Sequence, residues 1–155
     1  MHSLKITEGG PELLDAVGPL WEHLRTHHRG ITRHFPERFD AMKWEERKSG
    51  LLKKSGPDRL RVFLAFDNKN LIGYCVVSVD ALGNGELDSL FIHETCRGKK
   101  VGEALAKKGL AWLKAFPAKE IVIQVAIGNE RALPFYKKLG FLPYTTLLRE
   151  PHPPL

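Results

Sequence analysis

The sequence is poor in cysteine, and it has no long apolar segment. Its 155 residues include only two cysteines, whose spacing does not match a metal-binding pattern. No apolar run is long enough to span a bilayer, and no stretch resembles the apolar core of a signal peptide. We therefore expect a chain that holds no metal, does not associate with a membrane and resides in the cytoplasm.

No linker, internal repeat or low-complexity segment divides the chain. Its apolar content of 43% can fill a core, and its charged content of 27% can solvate the surface of one domain. We predict a single domain over residues 1–149, followed by a proline-rich tail over residues 150–155. A homodimer is compatible with a domain of this size, although no sequence feature decides it.

The charge balance predicts an anionic partner. The formal net charge is +6, which favours either a nucleotide-bearing small molecule or nucleic acid. The chain lacks an arginine-rich helix with interleaved aromatic residues, so we expect no nucleic-acid binding. The same charge disfavours polycationic substrates, because like charges slow their encounter with the protein.

Hydrophobic periodicity predicts alternating strands and helices. We expect helices over residues 13–24, where Gly18-Pro19 kinks or splits the helix, and over 36–54, 101–116 and 129–139. We expect strands over residues 4–7, 61–66, 71–79, 86–92, 120–125 and 141–148. This order predicts an α/β fold in which helices flank both faces of a mixed sheet.

One segment joins a strand to a helix through a basic, glycine-containing turn. The strand-like residues Ser89 to Ile92 lead to Arg97-Gly98-Lys99-Lys100, and a helix-like run begins at Val101. Free N–H groups and the helix dipole at such a terminus favour phosphate, and glycines allow a close approach of the backbone. The segment is therefore a candidate anion site, although ordinary strand-to-helix loops also use glycine and surface lysine.

A second segment lies about thirty residues further along the chain. It runs Asn129-Glu130-Arg131-Ala132-Leu133-Pro134-Phe135-Tyr136-Lys137-Lys138-Leu139-Gly140-Phe141. The pattern predicts a short helix that is capped by Asn129 and stopped by Gly140. Pro134 cannot donate a backbone hydrogen bond, so the first turn is expected to be loose or to begin after Asn129.

Together the two segments resemble the GNAT superfamily of N-acetyltransferases. Arg97 and Gly102 match the arginine-to-glycine pattern that binds pyrophosphate in that family. The second segment matches its Asn-x-x-Ala-x-x-Phe-Tyr-x-x-x-Gly-Phe signature. Lys100 departs from the pattern, since the family usually has glycine there. If this position needs a positive φ, lysine costs on the order of 1 kcal/mol, which pairing with a phosphate would offset.

The resemblance implies a fold, a cosubstrate and a set of binding residues. The implied fold is a mixed, mostly antiparallel sheet of about six to seven strands, and the implied cosubstrate is acetyl-CoA. Strand backbone would bond the pantetheine arm, and the basic turn would hold the pyrophosphate. The expected cofactor-binding residues are Leu90, Phe91, Ile92, Arg97, Gly98, Lys99, Lys100, Val101, Gly102, Glu103, Asn129 and Phe135. For Phe91 and Ile92, plain core packing explains the side chains equally well.

The implied chemistry is attack by a neutral amine on the thioester, followed by departure of the CoA thiolate. An alkylamine with a pKa of about 10 must first lose a proton, and the departing thiolate gains from a nearby acid. Tyr136 matches the family's tyrosine and is the candidate acid. The alternative for Tyr136 is an aromatic packed at helical spacing with Leu133 and Leu139.

Two carboxylates are candidates for the base. Strict alternation puts Glu86 and Asp88 on the strand face that carries Leu90 and Ile92, which leads toward the reacting end of the thioester. A carboxylate is a weak base for an ammonium ion unless burial raises its pKa or water relays the proton. Otherwise both are solvated strand residues.

The acceptor is expected to be a primary amine of a small molecule, attacked directly in a ternary complex. By resemblance, the loop between the first two helices helps to form the acceptor site, and its candidates are His27, His28, Arg33, His34 and Phe35. The alternative for this set is a basic, solvated helix end. Other possible acceptors are a peptide N-terminus or a protein lysine, and a sensor that binds acyl-CoA without turnover is the non-enzymatic alternative.

Overall fold

A computed structural model describes residues 3–151 of the chain. Residues 152–155 of the predicted tail lie outside this range. The described helices are α1 (Leu14–Ile31), α2 (Pro36–Ala41), α3 (Trp44–Ser55), α4 (Val101–Ala115) and α5 (Ala132–Lys138). The strands are β1 (Leu4–Gly9), β2 (Leu60–Asp67), β3 (Asn70–Val79), β4 (Gly85–Ile92) and β5 (Ile121–Ile123). Short 3₁₀ turns cover Pro11–Leu13 and Glu94–Cys96.

The described residues form two compact units. The first unit holds the residues up to Leu24 together with Lys43–Gln124, and so contains the sheet, the first part of α1, α3 and α4. The second unit holds Arg25–Met42 together with the residues from Val125 onward, and so contains the end of α1, α2 and α5.

The sheet has the order β1-β2-β3-β4-β5. The first four strands pair antiparallel, and β5 joins β4 in parallel, so the sheet is mixed as predicted. Both β2 and β3 are largely buried along their length. Such continuous apolar burial is typical of a strand that is covered on both faces.

Helices cover both faces of this sheet. On one face, Val62, Tyr74 and Val76 belong to a buried cluster with residues of α1 and α3, including Trp21 and Leu51. On the other face α4 packs closely against β3, because a Cβ atom on Gly109 would lie 2.8 Å from Cγ1 of Val77 and 3.1 Å from Sγ of Cys75. Each fully buried valine or leucine side chain of the core stabilises the fold by roughly 1.5–3 kcal/mol.

The predicted number of strands is wrong, since residues 3–151 contain five strands rather than six or seven. Residues 141–148, predicted as the last strand, lie in an irregular segment without a pairing partner in the described sheet. Their apolar side chains are not buried, as Tyr144 is 98% exposed and Leu148 is 86% exposed. A strand-like sequence without buried contacts lacks the packing that stabilises strands.

The helix predicted over residues 36–54 is two helices. Met42 and Lys43 adopt extended conformations between α2 and α3. Trp44 then begins α3 and packs its indole against the ring of Trp21, 5.5 Å away between centroids. This partly buried ring packs against the core of the first unit and so favours a start of α3 at Trp44. The predicted kink at Gly18-Pro19 does not divide α1, which is continuous from Leu14 to Ile31.

Candidate active site

A β-bulge in β4 separates the face of its two carboxylates from the face of Leu90 and Ile92. Ser89 pairs with Val76 and Leu87 pairs with Val77, so Asp88 is an additional residue without a partner opposite it. The strand therefore loses strict alternation at Asp88.

The bulge makes the predicted face of Glu86 and Asp88 wrong. Leu90 pairs with Cys75, whose sulfur lies toward α4, and Ile92 likewise lies on the α4 face beside Gly73. Glu86 and Asp88 instead face α3 on the opposite side, where both contact Lys54. The alternation rule fails because one inserted residue reverses the side-chain direction of every residue beyond it.

Lys54 of α3 bridges the two carboxylates. Its Nζ atom lies 2.7 Å from Oε1 of Glu86 and 2.6 Å from Oδ1 of Asp88. The three side chains differ in exposure, with 29% for Lys54, 21% for Glu86 and 1% for Asp88. The result is an ion cluster with one enclosed carboxylate and one that reaches solvent.

Burial and charge act in opposite directions on this cluster. Burial raises the pKa of Asp88 above its ordinary value of 3.8, while the Lys54 ammonium acts to lower it. Burial disfavours the charged form of Lys54, but Asp88 and Glu86 together raise its pKa above the ordinary value. Cys75 is a fully buried core residue, and burial raises the pKa of its thiol.

Arg47 and Ser78 complete the surroundings of Asp88. Nη2 of Arg47 donates a hydrogen bond to the backbone oxygen of Asp88 at 3.1 Å, which satisfies a bulge carbonyl. The Ser78 hydroxyl lies close enough to lower the pKa of Asp88. Neither this hydroxyl nor Oδ2 of Asp88 completes a hydrogen bond within residues 3–151, and both atoms are buried. Such atoms are costly to leave unpaired.

Lys54 and Arg47 are not among the site residues predicted from the sequence. A signal for both was present. Arg47, Leu51 and Lys54 are spaced by four and three residues, so they share one face of α3. Leu51 is 2% exposed, so this face is the buried one.

The turn from β4 into α4 has the geometry that the anion-binding prediction requires. Gly98 has φ of +80°, Lys100 has φ of +63° and ψ of 16°, and α4 begins at Val101. Lys100 is the N-cap residue, and its side chain makes no capping hydrogen bond. The first turn of α4 therefore presents backbone N–H groups without a side-chain cap. The departure at Lys100 does occupy a left-handed position, where glycine is normally favoured.

The side chain of Arg97 folds back onto the end of β4. Its Nε atom donates to the backbone oxygen of Ile92 at 3.1 Å, and its guanidinium lies 5.6 Å from the centre of the Phe91 ring. Phe91 is a buried core residue, as the packing alternative for its side chain expected. Two further histidines lie nearby, since His23 stacks on Phe91 at 6.4 Å and meets His93 at 5.8 Å between centroids.

In the second unit the second motif forms α5. The helix begins at Ala132, so the prediction that Asn129 is its N-cap is wrong; Arg131 is the N-cap residue. Pro134 explains the late start, because its missing N–H and fixed φ suit the first turn of a helix. Asn129 instead accepts the N–H of Ala132 with its backbone oxygen.

Aromatic contacts hold Tyr136 in the second unit. Its ring meets Phe135 edge-on at 5.1 Å and Phe141 edge-on at 6.5 Å between centroids. Edge-to-face pairs of this kind contribute roughly 0.5–1.5 kcal/mol beyond the area that they bury. These two ring contacts help to hold Tyr136 in place.

The acceptor-site candidates also lie in the second unit. Arg33 pairs with Glu130, and Phe35 is the N-cap residue of α2 with a left-handed φ of 58°. His28 stacks against Phe39 at 5.8 Å, and burial together with His27 lowers the pKa of His28. His34 meets the Phe35 ring at 6.4 Å. These residues are thus partly structural, and their role toward a substrate stays a prediction.

Within the described residues, no group of three or more His, Cys, Asp and Glu side chains could hold a metal ion. In the same range, no helix is long and apolar enough to cross a membrane.

A family model described as the acetyltransferase (GNAT) family matches residues 20–141. The chain belongs to this family. The predicted family is therefore confirmed.

Individual relatives agree with the GNAT assignment. N-alpha-acetyltransferase 30 of Schizosaccharomyces pombe is 33% identical over 91 residues, which cover 56% of this chain and 61% of that protein. The chain spans less than two thirds of the length of the curated relatives that it matches.

Solved GNAT structures share the fold. An acetyl transferase from Pyrococcus furiosus is 21% identical with a TM-score of 0.71, and the match covers 96% of this chain and 100% of that chain. Aminoglycoside N-acetyltransferase AAC(6')-Iy, solved in complex with CoA, is 17% identical with a TM-score of 0.66, over 96% of this chain and 93% of that chain.

Proposed function

We propose that the chain is an N-acetyltransferase that moves the acetyl group of acetyl-CoA to a primary amine of a small molecule, by direct attack in a ternary complex. The turn from β4 into α4 carries the proposal. Its sequence matches the pyrophosphate pattern from Arg97 to Gly102, Gly98 and Lys100 have left-handed backbones, and α4 begins without a side-chain cap. A helix start of this kind favours a phosphate group.

The residues of this turn fit a diphosphate. The backbone of Arg97, Gly98, Lys99, Lys100, Val101, Gly102 and Glu103 would hold it, and the basic side chains add charge. Gly98 has open space where a Cβ atom would project, so a ligand can approach the backbone there. In this proposal the backbone of Leu90, Phe91 and Ile92 binds the pantetheine arm, with Asn129 and Phe135 as further contacts. The bound thioester supplies the activated acetyl group.

We propose that Glu86 takes the proton of the acceptor amine and that Asp88 has a supporting role. The difference in exposure supports this order, since Glu86 is 21% exposed and Asp88 is 1% exposed. A base must reach the proton that it removes, directly or through one water molecule. The carboxyl group of Asp88 acts on Glu86 through their shared partner Lys54 in this account.

Tyr136 is the proposed acid. A tyrosine hydroxyl is protonated at neutral pH and can donate to a departing thiolate, whose conjugate acid has a pKa of about 8.5. The packing of the Tyr136 ring against Phe135 and Phe141 is consistent with a fixed donor. The proton lost from the tyrosine would be regained from solvent after the product leaves.

For the acceptor, we favour a small amine with few positive charges, in the cytoplasm. The net charge of +6 disfavours polycations as acceptors. The proposed acceptor-site residues are His27, His28, Arg33, His34 and Phe35. A peptide N-terminus is the second candidate, because the yeast relative is an N-alpha-acetyltransferase.

The test is release of CoA thiol from acetyl-CoA in the presence of single amino acids, simple amines, aminoglycosides and peptides. The proposal expects release with small amines, and acetylation of peptides alone would favour the second candidate. Tight binding of acetyl-CoA in calorimetry without release from any acceptor would instead favour a sensor of acyl-CoA.

A further inference from the structure

The cluster of Lys54, Glu86 and Asp88 lies outside the two sequence motifs that resemble the GNAT family. Both of its short contacts are made by one ammonium group, which lies between two carboxylates on neighbouring positions of the same strand face. Glu86 and Asp88 share the α3 face of β4, and the bulge at Asp88 turns the residues beyond it, Leu90 and Ile92, to the α4 face. Because the Asp88 side chain is only 1% exposed, the cluster is more than a surface ion pair.

Asp88 needs a compensating cation more than an ordinary carboxylate does. Its side chain is 1% exposed, and its Oδ2 atom is buried without a hydrogen bond within residues 3–151. An isolated buried charge is costly, so such a carboxyl group takes up a proton unless a partner offsets the charge. Lys54 is the cation that contacts Asp88 with its side chain.

We propose that Lys54 is a positioning residue for the acetyl transfer: by bridging Glu86 and Asp88, it offsets the negative charge of the pair and holds both carboxylates in place, so that Glu86 can accept the proton of the acceptor amine. The inference rests on the proposed function. In the step itself, one N–H bond of the acceptor ammonium breaks and one O–H bond forms on Glu86. The electron pair stays on the nitrogen, and the ammonium of Lys54 gains and loses no proton.

Several other groups surround the cluster. Glu86 acts to raise the pKa of Asp88, so two carboxylates without Lys54 would disfavour each other's ionisation. Arg47 contacts the backbone oxygen of Asp88 rather than its carboxylate. The remaining groups that interact with the pair or with Lys54 are Ser78, Cys75 and Asp80.

Loss of the Lys54 charge should change how kcat/KM depends on pH. Both carboxyl groups would hold their protons to a higher pH, so the base would be ionised only at higher pH. The acid limb of the profile of kcat/KM against pH should then move upward by about one pH unit or more, as expected for loss of an opposite charge at this distance. A residue that only supports the fold would lower stability without moving this limb.

The experiment compares Lys54→Gln with Lys54→Arg in the full chain. Glutamine can still donate hydrogen bonds but has no charge, whereas arginine keeps the charge. We expect the upward shift of the acid limb in Lys54→Gln and a return to the wild-type limb in Lys54→Arg. Lys53→Gln, at an exposed neighbouring position of α3, is the matched control and should leave the limb unchanged. An unmoved limb in Lys54→Gln would overturn the proposal.

A second measurement does not depend on turnover. Infrared titration of the protein without substrate follows the protonated carboxyl band, assigned with Glu86→Gln and Asp88→Asn. Lys54→Gln should move the titration of this band to higher pH, and an unchanged titration would overturn the inference even if the enzyme is active. Absence of turnover in wild type together with a shifted band would reject the proposed function and leave the role of Lys54 in the pair intact.

Folding of the variants is checked in the same samples. If Lys54→Gln does not fold, Asp88→Asn and the double variant Lys54→Gln/Asp88→Asn replace it, because they carry no buried uncompensated carboxylate. The limb of the double variant should lie above that of Asp88→Asn, since Glu86 alone would then lack its cation. Equal limbs in these two variants would contradict the proposal.

Discussion

Nζ of Lys54 lies 2.6 Å from Oδ1 of Asp88, and the Asp88 side chain is only 1% exposed. This pair sits at the residue where β4 loses its alternation. The fold thus places a buried carboxyl group, its cation and the more exposed Glu86 on one face of the sheet. Stability and activity should both respond to the ionisation of this group.

The first prediction concerns stability against pH. Because burial raises the pKa of Asp88 in the folded state, folding favours its protonated form. This contribution is fully present below the unfolded pKa of about 3.9 and is lost as the pH rises through the folded pKa. The free energy of unfolding of wild type should therefore fall, relative to that of Asp88→Asn, from about pH 4 toward pH 7.

Urea unfolding of both proteins across this range measures the difference. Asp58→Asn, at an exposed loop position, is the control and should track wild type at each pH. A wild type that gains stability relative to Asp88→Asn with rising pH would show that Lys54 outweighs burial.

The second prediction concerns the left-handed conformation of Lys100. Lys100→Gly should raise the free energy of unfolding by about 1 kcal/mol, because glycine adopts positive φ without a steric cost. The same change should weaken binding of acetyl-CoA, since an ammonium group near the phosphates is lost. Denaturant unfolding and calorimetry measure the two effects.

Lys100→Ala separates strain from charge, because alanine removes the ammonium and keeps the strain. It should weaken acetyl-CoA binding about as much as Lys100→Gly without the gain in stability. Equal stability of the glycine and alanine variants would argue against strain at this position.

The third prediction concerns close packing in the second unit. A Cβ atom on Gly128 would lie 2.3 Å from the backbone oxygen of Ile31, and φ at Gly128 is +101°. Gly128→Ala should therefore cost more than the roughly 1 kcal/mol of backbone strain, by an estimated further 1–3 kcal/mol from overpacking. Gly140→Ala is the matched control, because Gly140 has φ of +98° and open space around it. Equal unfolding midpoints for the two variants would refute the proposed clash.

The fourth prediction concerns the proposed acid. Tyr136→Phe keeps the edge-on ring contacts with Phe135 and Phe141, so the fold should remain intact. Loss of the hydroxyl should lower kcat by roughly 10²-fold or more with little effect on acetyl-CoA affinity. Tyr144→Phe makes the same substitution at a side chain that is 98% exposed, and its kcat should equal that of wild type. An unchanged kcat in Tyr136→Phe would remove this residue from the chemistry.

The sequence predicted those features that depend on local chemistry. The resemblance marked Lys100 as a departure at a position where the family has glycine, and the structure gives Lys100 a left-handed conformation. Pro134 indicated the late start of α5, since a proline cannot donate within a helix. The motifs also indicated the family, which the match over residues 20–141 confirms.

Features that depend on tertiary contacts were not predicted. Alternation gave no sign of the bulge at Asp88, because an inserted residue is visible only against the partner strand. Lys54 resembled any solvated lysine until its helix face was known. The break before Trp44 follows from packing against Trp21, and the segment 141–148 lacks the burial that its strand-like sequence favours.

Mass spectrometry of the acceptor after incubation with acetyl-CoA shows whether the chain transfers an acetyl group to an amine. We expect one added acetyl group on a small primary amine, in an amount equal to the CoA thiol released, and a much lower amount with Tyr136→Phe. Binding of acetyl-CoA with no acetylated product from any amine or peptide would contradict the claim that the chain is an N-acetyltransferase.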